Sequence, residues 1–446
     1  MSMKKNNSNL SIEERLEQAL IPNWDEPYKL PDNWCWTKLN VISEVVTGST
    51  PSKNKPEYYG DDFPFFKPAD LEAGRHTVVA SEYLSELGKN VSRVIPAEAT
   101  AVCCIGSIGK SGYLEVDGTT NQQINSVIPK INPLYLYYYI NSDTFINELR
   151  EKASATTVSI INKSKMEANR IPVAPLKEQQ RIVERIESLF TILDEAKEKA
   201  QEVVDGFESR KAAILHKAFS GELTARWRKE NNIECKGYKR KRFDEVAIIK
   251  SNLVNPLEYL SYPHIAPDNI EKKTGTLLEY RTIEEDNVKS GKHKFYSGQI
   301  LYSKIRPNLS KVVVVDFEGL CSADMYPIEA IGDTRCLWYF MLSENFLEQA
   351  SVAGTRTVLP KINQKELSAL TVTIPDFIEE QEEIVRILDS LLEKEYQVKQ
   401  IAEVVIKQID IIKKVILAKA FRGELGTNDS TEESAKNLLK RLLDEM

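Results

Sequence analysis

The chain has 446 residues, too many for a single compact core, so two or more domains are expected. Its composition, 42% hydrophobic and 28% charged, is ordinary for a globular protein, and no apolar run reaches the roughly 18 residues of a membrane span. The net charge of −7 argues against a surface coated in positive charge and confines any nucleic-acid-binding face to a local patch.

The N-terminal segment, residues 1–32, is polar with a helical pattern and lacks the apolar region of a signal peptide. Six cysteines are spread along the chain without a CxxC pair: Cys35, Cys103, Cys104, Cys235, Cys321 and Cys336. We therefore expect reduced core thiols in the cytosol and no zinc ribbon.

Residues 33–175 are predicted to form a mixed α/β globule. Runs rich in β-branched and aromatic residues, such as ATAVCCIG, GYLEV and INSVIPKI, are broken by Gly, Pro, Asn and Asp and predict short strands and turns. The helical pattern LYLYYYINSDTFINELREKA follows, and a turn over residues 154–162 closes the segment.

Four polar stretches interrupt this globule: TGSTPSKNKPEYYG, KPAD, GSIGKSG and TTNQQIN. Asn and Gln side chains can bond adenine bidentately in the major groove, and Lys or small residues on turns can contact phosphates. These stretches favour DNA binding, although any single residue could instead belong to a solvated turn. The candidates are Thr50, Ser52, Lys53, Lys67, Asp70, Ser107, Lys110, Thr120, Asn121, Gln122 and Gln123.

Two stretches come close to catalytic motifs without completing them. CIGSIGKS has Cys104 where a phosphate-binding loop has its first glycine, and the GYLEV that follows predicts a strand instead of the required helix. NPLY resembles the NPPY signature of amino-methyltransferases, but Leu134 replaces a proline and no glycine-rich cofactor strand precedes it. The four histidines form no HExxH pair, so we predict no catalytic residue and no metal site.

Residues 176–225 carry a ladder of apolar residues at alternating steps of four and three, from Ile182 to Ile214, with one polar interruption at Arg210. This spacing is typical of a coiled-coil helix. A helix that begins after Pro175 and ends near Gly221 would run about 40 residues, or roughly 60 Å. A slight bend is expected at Gly206.

A linker with two basic runs, ARWRK and KGYKRKR, occupies residues 226–242 and precedes a second predicted globule, residues 243–375. This globule has the same plan as the first, with strands such as GQILYSK and KVVVVDF, the helical pattern LWYFMLSENFLEQAS and a closing turn over residues 353–363. Its polar stretches differ from those of the first globule. They are HIAPDNI, YSKIRPNLSK and CSADMYP.

The second globule also presents candidates for base and phosphate contacts. Arg and Lys can bond guanine bidentately, and SKIRP places two of them between apolar residues. The candidates are Asp268, Asn269, Lys292, Lys294, Ser303, Lys304, Arg306, Asn308, Lys311, Ser322 and Asp324.

Residues 376–426 repeat the heptad ladder at an offset of 202 positions, with Glu395 as its polar interruption. ILHKAFSGEL matches ILAKAFRGEL at eight of ten positions, and KEQQRIVERIESLF matches EEQEEIVRILDSLL at six of fourteen. Each ladder leaves one apolar seam to bury, so the two helices are predicted to pack antiparallel about a pseudo-twofold axis. A tail with a short amphipathic helix, residues 427–446, ends the chain.

The predicted fold is therefore of the mixed α/β (α+β) class, with two similar globules separated by two long antiparallel helices that form a coiled coil. In this order and in duplicate, the stretches resemble the specificity subunit of type I restriction-modification systems over about residues 34–425. PDNWCWTKL, TNQQINSVIP and IPVAPLKEQQRIV carry the resemblance in the first half. ILYSKIRPNLSKVVVVDFEGLCSADMYP, EEQEEIV and KAFRGEL carry it in the second.

The resemblance implies that each globule is a target-recognition domain that reads one half of an asymmetric, bipartite site in double-stranded DNA. The helices would set the spacing and dock two methyltransferase subunits, which use S-adenosylmethionine to modify adenine. Two restriction subunits that use ATP and Mg could join them in host defence. The chain itself would bind no cofactor, have no catalytic activity and act in the cytoplasm of a prokaryote.

Two alternatives remain open. The chain could carry its own methyltransferase or nuclease site, which an activity assay on the purified chain would reveal. It could instead be a coiled-coil adaptor without DNA contact, which salt-dependent binding to a duplex would exclude.

Overall fold

The computed structural model of the protein describes residues 10–153, 159–233, 238–354 and 360–445. The chain divides into two compact units: unit 1 consists of Met1–Lys199 with Val405–Met446, and unit 2 of Ala200–Val404. Cys235, Lys236 and parts of the two predicted closing turns lie outside the described residues.

The described residues of unit 1 contain ten short strands, as its alternating runs predict. They are β1 (Cys35–Lys38), β2 (Ser43–Thr47), β3 (Tyr59–Phe66), β4 (Glu82–Leu84), β5 (Val94–Ile95), β6 (Thr100–Cys103), β7 (Ser111–Tyr113), β8 (Gly118–Thr120), β9 (Ile124–Pro129) and β10 (Arg170–Val173). They form two four-stranded sheets, in the orders β2-β9-β6-β7 and β4-β3-β8-β5, and a β1-β10 pair.

Unit 2 adds eleven strands. They are β11 (Lys241–Arg242), β12 (Ala247–Ile249), β13 (Leu253–Val254), β14 (Pro263–Ile265), β15 (Arg281–Thr282), β16 (Lys292–Phe295), β17 (Ile300–Ser303), β18 (Val312–Val314), β19 (Gly319–Cys321), β20 (Met325–Ala330) and β21 (Thr371–Val372). Their sheets have the orders β12-β20-β17-β18 and β13-β16-β19-β14-β15, with a β11-β21 pair.

The sheets of the two units have the same topology. The order β2-β9-β6-β7 corresponds to β12-β20-β17-β18, and β4-β3-β8-β5 corresponds to β15-β14-β19-β16. In each unit one pair of strands is parallel, β3 with β8 and β14 with β19. Strand β13 is an additional edge strand of unit 2. The mixed fold and the internal repeat predicted from the sequence are therefore confirmed.

Helices flank the sheets and connect the globules. They are α1 (Ile12–Ala19), α2 (Leu39–Ile42), α3 (Glu86–Asn90), α4 (Pro133–Ile140), α5 (Asp143–Glu151), α6 (Lys163–Glu167), α7 (Leu176–Asp205), α8 (Phe207–Ser220), α9 (Ala225–Glu230), α10 (Phe243–Val246), α11 (Thr334–Met341), α12 (Glu344–Ala353), α13 (Gln364–Ser368), α14 (Ile378–Ala420) and α15 (Ala435–Asp444). No described helix is long and apolar enough to cross a membrane.

The helices that cover each core begin at matching caps. The Asn132 side chain accepts the backbone N–H of Tyr135 at the start of α4, and the Asp333 side chain accepts that of Cys336 at the start of α11. Such caps satisfy donors that a helix start leaves unpaired. They fix α4 and α11 so that most of their side chains, including the fully buried Tyr135, pack into the cores.

A buried glutamine ties the first turn of each long helix to its globule. The Gln179 amide accepts the backbone N–H of Asn132 at 3.0 Å and donates to a carbonyl just before α7 at 2.8 Å. The Gln381 amide accepts the N–H of Asp333 at 2.8 Å and donates to a carbonyl just before α14 at 2.7 Å. The two contacts are equivalent in the repeat and orient each helix on its globule.

The first long helix is divided at Gly206, where the sequence predicts a slight bend, but the Gly206 N–H still donates to the Glu202 carbonyl and the Arg210 N–H to the Gly206 carbonyl. Helix α7 ends at Asp205 and α8 begins at Phe207, whereas α14 runs unbroken over 43 residues. The Arg210 guanidinium donates to the carbonyl of Val203 at 2.8 Å, across the interruption. This long cation therefore satisfies an acceptor of the last turn of α7.

In unit 2, α8 and α14 pair through their polar interruptions. Arg210 forms an ion pair with Glu395 at 2.7 Å, and the Lys399 ammonium lies 4.8 Å from the ring centre of Phe207. Residue numbers rise along one helix as they fall along the other, so the helices run antiparallel. The two residues that break the apolar ladders in the sequence are thus partners.

In unit 1, α7 and α14 also pair antiparallel. Lys197 forms an ion pair with Asp410 at 2.7 Å, and Lys413 forms one with Asp194. Most members of the predicted seam are buried or half-buried, but Val398 and Ile412 on α14 are 48% and 43% exposed. A straight helix drifts from a strict 3.5-residue repeat, which turns such positions outward.

The repeated KAFSGEL and KAFRGEL stretches mark the helix ends. Gly221 and Gly423 have φ angles of +86° and +74°, the left-handed conformation that commonly follows a helix. In unit 2, Phe219 packs edge-on against an aromatic ring of α11 at 5.2 Å. In unit 1, Phe421 packs against two tyrosine rings of α4 at 5.2 and 5.0 Å. Both phenylalanines anchor the helix ends in a globule core, not in the helix seam.

The terminal segments of unit 1 pack on each other. Helix α1 begins with a capping box at Ser11, and its Arg15 guanidinium donates to the carbonyl of Leu443 at the end of α15. Glu13 of α1 and Lys440 of α15 form an ion pair at 3.3 Å. The predicted polar N-terminal segment and tail helix are therefore structural parts of unit 1.

We predict that Gln179→Leu and Gln381→Leu each destabilise one unit by about 1–3 kcal/mol, because a buried N–H and a buried carbonyl lose their partners. Hydrogen exchange should show faster amide exchange around Asn132 in the first variant and around Asp333 in the second.

Gln397→Leu, on the exposed face of α14, is the control for the loss of a glutamine amide. Its exchange pattern should match the parent. Unchanged exchange in both buried variants would contradict the assigned role.

Candidate nucleic-acid interface

In unit 1, four chain segments emerge at the same edge of the two sheets. The end of β2 and the end of β6 both lie opposite the start of β9, and the parallel strands β3 and β8 end side by side. The segments that follow β2, β3, β6 and β8 therefore leave the sheets together. We call residues 48–55, 67–70, 104–110 and 120–123 the first edge.

The first edge holds all the candidates predicted in the first globule. They are Thr50, Ser52, Lys53, Lys67, Asp70, Ser107, Lys110, Thr120, Asn121, Gln122 and Gln123. Its segments are joined by direct contacts: the Thr50 hydroxyl donates to the Gln122 amide oxygen, and the Ser49 N–H donates to the Thr120 carbonyl at 2.9 Å. Residues far apart in the sequence thus form one surface.

The three adjacent amides of this edge differ in exposure. The Asn121 side chain is buried and bonds twice to Gln123, accepting its backbone N–H at 3.0 Å and donating to its amide oxygen at 3.1 Å. Gln122 is exposed. Asn121 and Gln123 therefore shape the turn, and Gln122 is the amide available to a ligand.

Two lysines of the first edge already have carboxylate partners. Lys67 pairs with Glu82 at 2.6 Å, and Lys110 pairs with Glu72 at 2.7 Å. The hydrogen bond from Lys110 lowers the pKa of Glu72. Asp70 is also engaged, because its carboxylate accepts the backbone N–H groups of Lys67 and Ser81. Among the predicted phosphate contacts of this edge, Lys53 is exposed and has no partner in the described part of the chain.

Unit 2 has an equivalent edge. The parallel strands β14 and β19 end side by side, the end of β17 lies opposite the start of β20, and β16 begins opposite the end of β19. We call residues 266–269, 292, 303–311 and 322–324 the second edge. It contains Asp268, Asn269, Lys292, Ser303, Lys304, Arg306, Asn308, Lys311, Ser322 and Asp324.

Lys294 is the one candidate that the structure does not bring to this edge. It lies within β16, and its ammonium is surrounded by the rings of Tyr259, Tyr262 and Tyr296 at 5.3, 5.6 and 5.0 Å. These cation–π contacts hold the charge inside unit 2. The sequence could not show this, because two of the three rings are more than 30 positions away.

A cluster of charges occupies the middle of the second edge. Asp324 accepts a salt bridge from Lys361 at 3.1 Å, and its carbonyl accepts the backbone N–H of Lys304 at 3.0 Å. The Lys304 ammonium lies 5.0 Å from the ring centre of Tyr326. Burial lowers the pKa of both Lys292 and Lys304.

Two residues of this cluster were missed by the sequence reasoning. Lys361 is placed there by a bridge between Ile305 and the segment after α12. The sequence feature that could have indicated Lys361 is the closing turn over residues 353–363, to which this lysine belongs. His293 lies opposite Cys321, and its Nδ1 is buried without a partner among the described residues. Burial and the nearby Lys304 lower the pKa of His293.

The loop after β17 contains backbone strain at an exposed cation. Arg306 and Ser310 have φ angles of +48° and +45°, and the equivalent loop of unit 1 has glycines, Gly106 and Gly109, at +76° and +89°. A residue with a Cβ pays about 1–2 kcal/mol for this conformation. Strain retained by an exposed arginine indicates a function for its side chain.

The described residues contain no group of three or more His, Cys, Asp or Glu that could hold a metal ion. The edges instead offer amides, hydroxyls and cations. The exposed amides and cations among them suit base edges and phosphates.

Comparison with known proteins identifies the family. The model of the type I restriction modification DNA specificity domain matches residues 31–204 and 237–406. The specificity subunit of the type I restriction enzyme EcoDI from Escherichia coli is 36% identical over 448 residues, which cover 93% of this chain and 95% of that subunit. The MjaIX specificity subunit from Methanocaldococcus jannaschii is 26% identical over 426 residues, 89% of this chain and 94% of that subunit.

Solved structures share the fold. The HsdS subunit from Thermoanaerobacter tengcongensis has a TM-score of 0.61 at 19% identity, and a chain from a structural study of type I R-M complex assembly has 0.68 at 18%. Each covers 90% of this chain and is itself covered completely. The chain therefore belongs to the type I restriction-modification DNA specificity subunits, the non-catalytic subunits that recognise DNA through two recognition domains.

Proposed function

We propose that the first and second edges each read one half of an asymmetric, two-part site in double-stranded DNA. One observation supports the proposal. The two units share one sheet topology, but the loops at the equivalent strand ends differ in sequence. Like scaffolds place the loops equivalently, and unlike loops read different bases. The recognition domains would be residues 33–175 and 243–375.

Within these edges, Gln122 and Arg306 are the proposed base readers. Both are exposed, and their side chains have the geometries that bond adenine and guanine bidentately. The other candidates form the surface around them: Thr50, Ser52, Lys53 and Ser107 beside Gln122, and Lys304, Asn308, Ser322 and Asp324 beside Arg306. Lys67 and Lys110 are supporting residues, since each neutralises a carboxylate.

The long helices, residues 176–225 and 376–426, are the proposed spacer between the two readers. One turn of B-DNA advances about 34 Å, so helices of roughly 60 Å can hold two readers on neighbouring major-groove turns. The unread gap then spans several base pairs.

The proposed partners are two methyltransferase subunits, which bring S-adenosylmethionine, and in a full complex two restriction subunits, which bring ATP and Mg. The assembly would act on DNA in the prokaryotic cytoplasm. Helix α14 offers a docking surface, because Ile401, Val404, Ile411 and Val415 are 63%, 51%, 60% and 49% exposed at steps of three, seven and four along this one helix. Exposed apolar residues at this spacing favour a partner helix.

The repeat positions on the first long helix are different. They are Lys199, Glu202, Ser209 and Ala213, which offer no comparable apolar stripe. The exposed stripe is therefore a property of α14 and not of the scaffold that the two halves share. We assign it to a methyltransferase subunit.

Methylation of the host genome should follow one asymmetric motif with two specified parts and an unspecified gap of several base pairs. Methylation-sensitive sequencing of host DNA, with and without the gene for this chain, tests this. A contiguous or palindromic motif would contradict two unlike readers on one spacer.

Arg306→Gly should separate stability from recognition. It relieves the left-handed strain, so the protein should be as stable as the parent or more stable by about 1 kcal/mol. Loss of the guanidinium should weaken binding to the specific duplex by about 1–3 kcal/mol and relax one half-site. Thermal unfolding and titration of duplexes with single base changes measure the two effects.

Ser310→Gly is the matched control for Arg306→Gly, because it relieves the same strain at a buried residue of the same loop. It should leave half-site discrimination unchanged. Equal discrimination by Arg306→Gly and the parent would show that Arg306 reads no base.

Ile411→Lys should weaken association with the methyltransferase subunit without unfolding the chain, because the side chain is 60% exposed. A charge in a packed helix interface is left unpaired and costs several kcal/mol. Isothermal titration of the purified partner measures the change. Ile192→Lys, at a 62% exposed site on α7, is the control and should bind normally. If the two variants bind alike, the α14 stripe is not the docking surface.

A further inference from the structure

We propose that unit 1 also holds a phosphate of the DNA backbone in a cavity beside the first edge, with Arg150 as the cation that binds it. The inference rests on the proposed function of that edge. Arg150 belongs to α5, outside every polar stretch that the sequence singles out, and its partner would be a backbone phosphate and not a base.

The cavity has a volume of about 590 Å³ and lies between the loop after β6 and helix α5. The loop contributes residues 106–110, which belong to the first edge, and the helix side contributes Ile146, Arg150 and Ala153. Ser159 is a further lining residue. The cavity therefore shares one of its walls with the first edge.

Glycines allow the loop to approach the helix this closely. Gly109 has a φ angle of +89°, and a Cβ at this position would lie 3.3 Å from the Ile146 side chain. At Gly106, with φ of +76°, an added Cβ would meet nothing within 4 Å. The backbone conformation of the two glycines therefore sets the shape of the loop, and the space beside Gly106 is open.

The groups that line the cavity are donors. The Arg150 guanidinium is exposed and has no hydrogen bond or ion pair in the described part of the chain. Neither the backbone N–H nor the hydroxyl of Ser107 has a described partner either. The other cation, Lys110, is held by Glu72 at 2.7 Å.

These donors fit a phosphate better than other ligands. Among the described residues that line the cavity there is no carboxylate to hold a metal ion and no aromatic ring on which a base could stack. A guanidinium forms two parallel hydrogen bonds with phosphate oxygens, and backbone N–H groups of a glycine-containing loop add a third donor.

The second edge lacks this arrangement. Helices α5 and α12 begin at the matching caps Ser142 and Ser343, so the position equivalent to Arg150 is Ser351. In the same region, a Cβ added at Gly354 would lie 2.7 Å from the Pro307 ring. The proposed phosphate contact is therefore specific to the first half-site. It should position the DNA without choosing its sequence.

The test uses the full chain and two duplexes, one with the methylated motif and one unrelated. Arg150→Ala should weaken binding to both by the same factor, about tenfold. The slope of log K against log salt concentration should fall in magnitude by about 0.9, the value for one phosphate contact. Arg150→Lys should restore most of the slope, because a lysine retains the charge.

Arg185→Ala, which removes an exposed arginine of α7, is the control and should change neither affinity nor slope. An unchanged slope for Arg150→Ala would overturn the proposal, and so would a loss confined to the specific duplex, which would indicate base readout. Failure of the parent chain to bind either duplex would instead count against the proposed function itself. Thermal unfolding of Arg150→Ala should match the parent, since the side chain is exposed.

Discussion

Each half of the molecule depends on one buried amide at the start of a long helix. Gln179 and Gln381 are 0% and 5% exposed, and each satisfies one donor and one acceptor of the adjoining globule. A buried amide with both bonds made is stable only in one orientation. Because the helices extend for tens of residues beyond this point, a small rotation of the first turn would displace their far ends by many ångströms. Both copies of the repeat therefore have a glutamine at the position that sets the direction of the long helix.

The residue before each glutamine shows how the repeat diverges. The buried Glu178 accepts hydrogen bonds from Trp34 at 2.7 Å and Asn428 at 2.9 Å, and burial raises its pKa. The equivalent Glu380 instead meets the Arg228 guanidinium at 2.6 Å. Asn428 follows α14 and Arg228 follows α8, so each carboxylate is satisfied by the segment just past a helix end. Neutral donors serve Glu178, whereas Glu380 accepts from the hydroxyls of Thr224 and Tyr238 and from the Arg228 cation.

Periodic features of the molecule were predictable from the sequence, and long-range pairings were not. The heptad ladders, the stop at Gly221 and Gly423 and the short strands follow from local spacing and conformational preference. Long-range pairings include the carboxylate partners of Lys67 and Lys110 and the tyrosine rings around Lys294. These contacts join residues that only the folded sheets bring together. The polar stretches chosen from the sequence lie together at one edge of each unit, but the sequence could not tell a presented side chain from one that holds the loop in place. Exposure and pairing make that distinction for Gln122 and for Asn121.

Among the described residues, the two edges carry an unpaired arginine at different positions of the shared scaffold. In unit 1 a glycine occupies the left-handed position of the loop without strain, and an unpaired cation, Arg150, stands on the neighbouring helix. In unit 2 the helix position is Ser351, and the cation stands on the strained loop itself at Arg306. In the proposed function the cation at the rim would contact a phosphate, whereas the one on the loop would reach into a groove. A scaffold duplicated in this way would keep a cation for DNA in both halves while the readable surface differs, as the proposed asymmetric target requires.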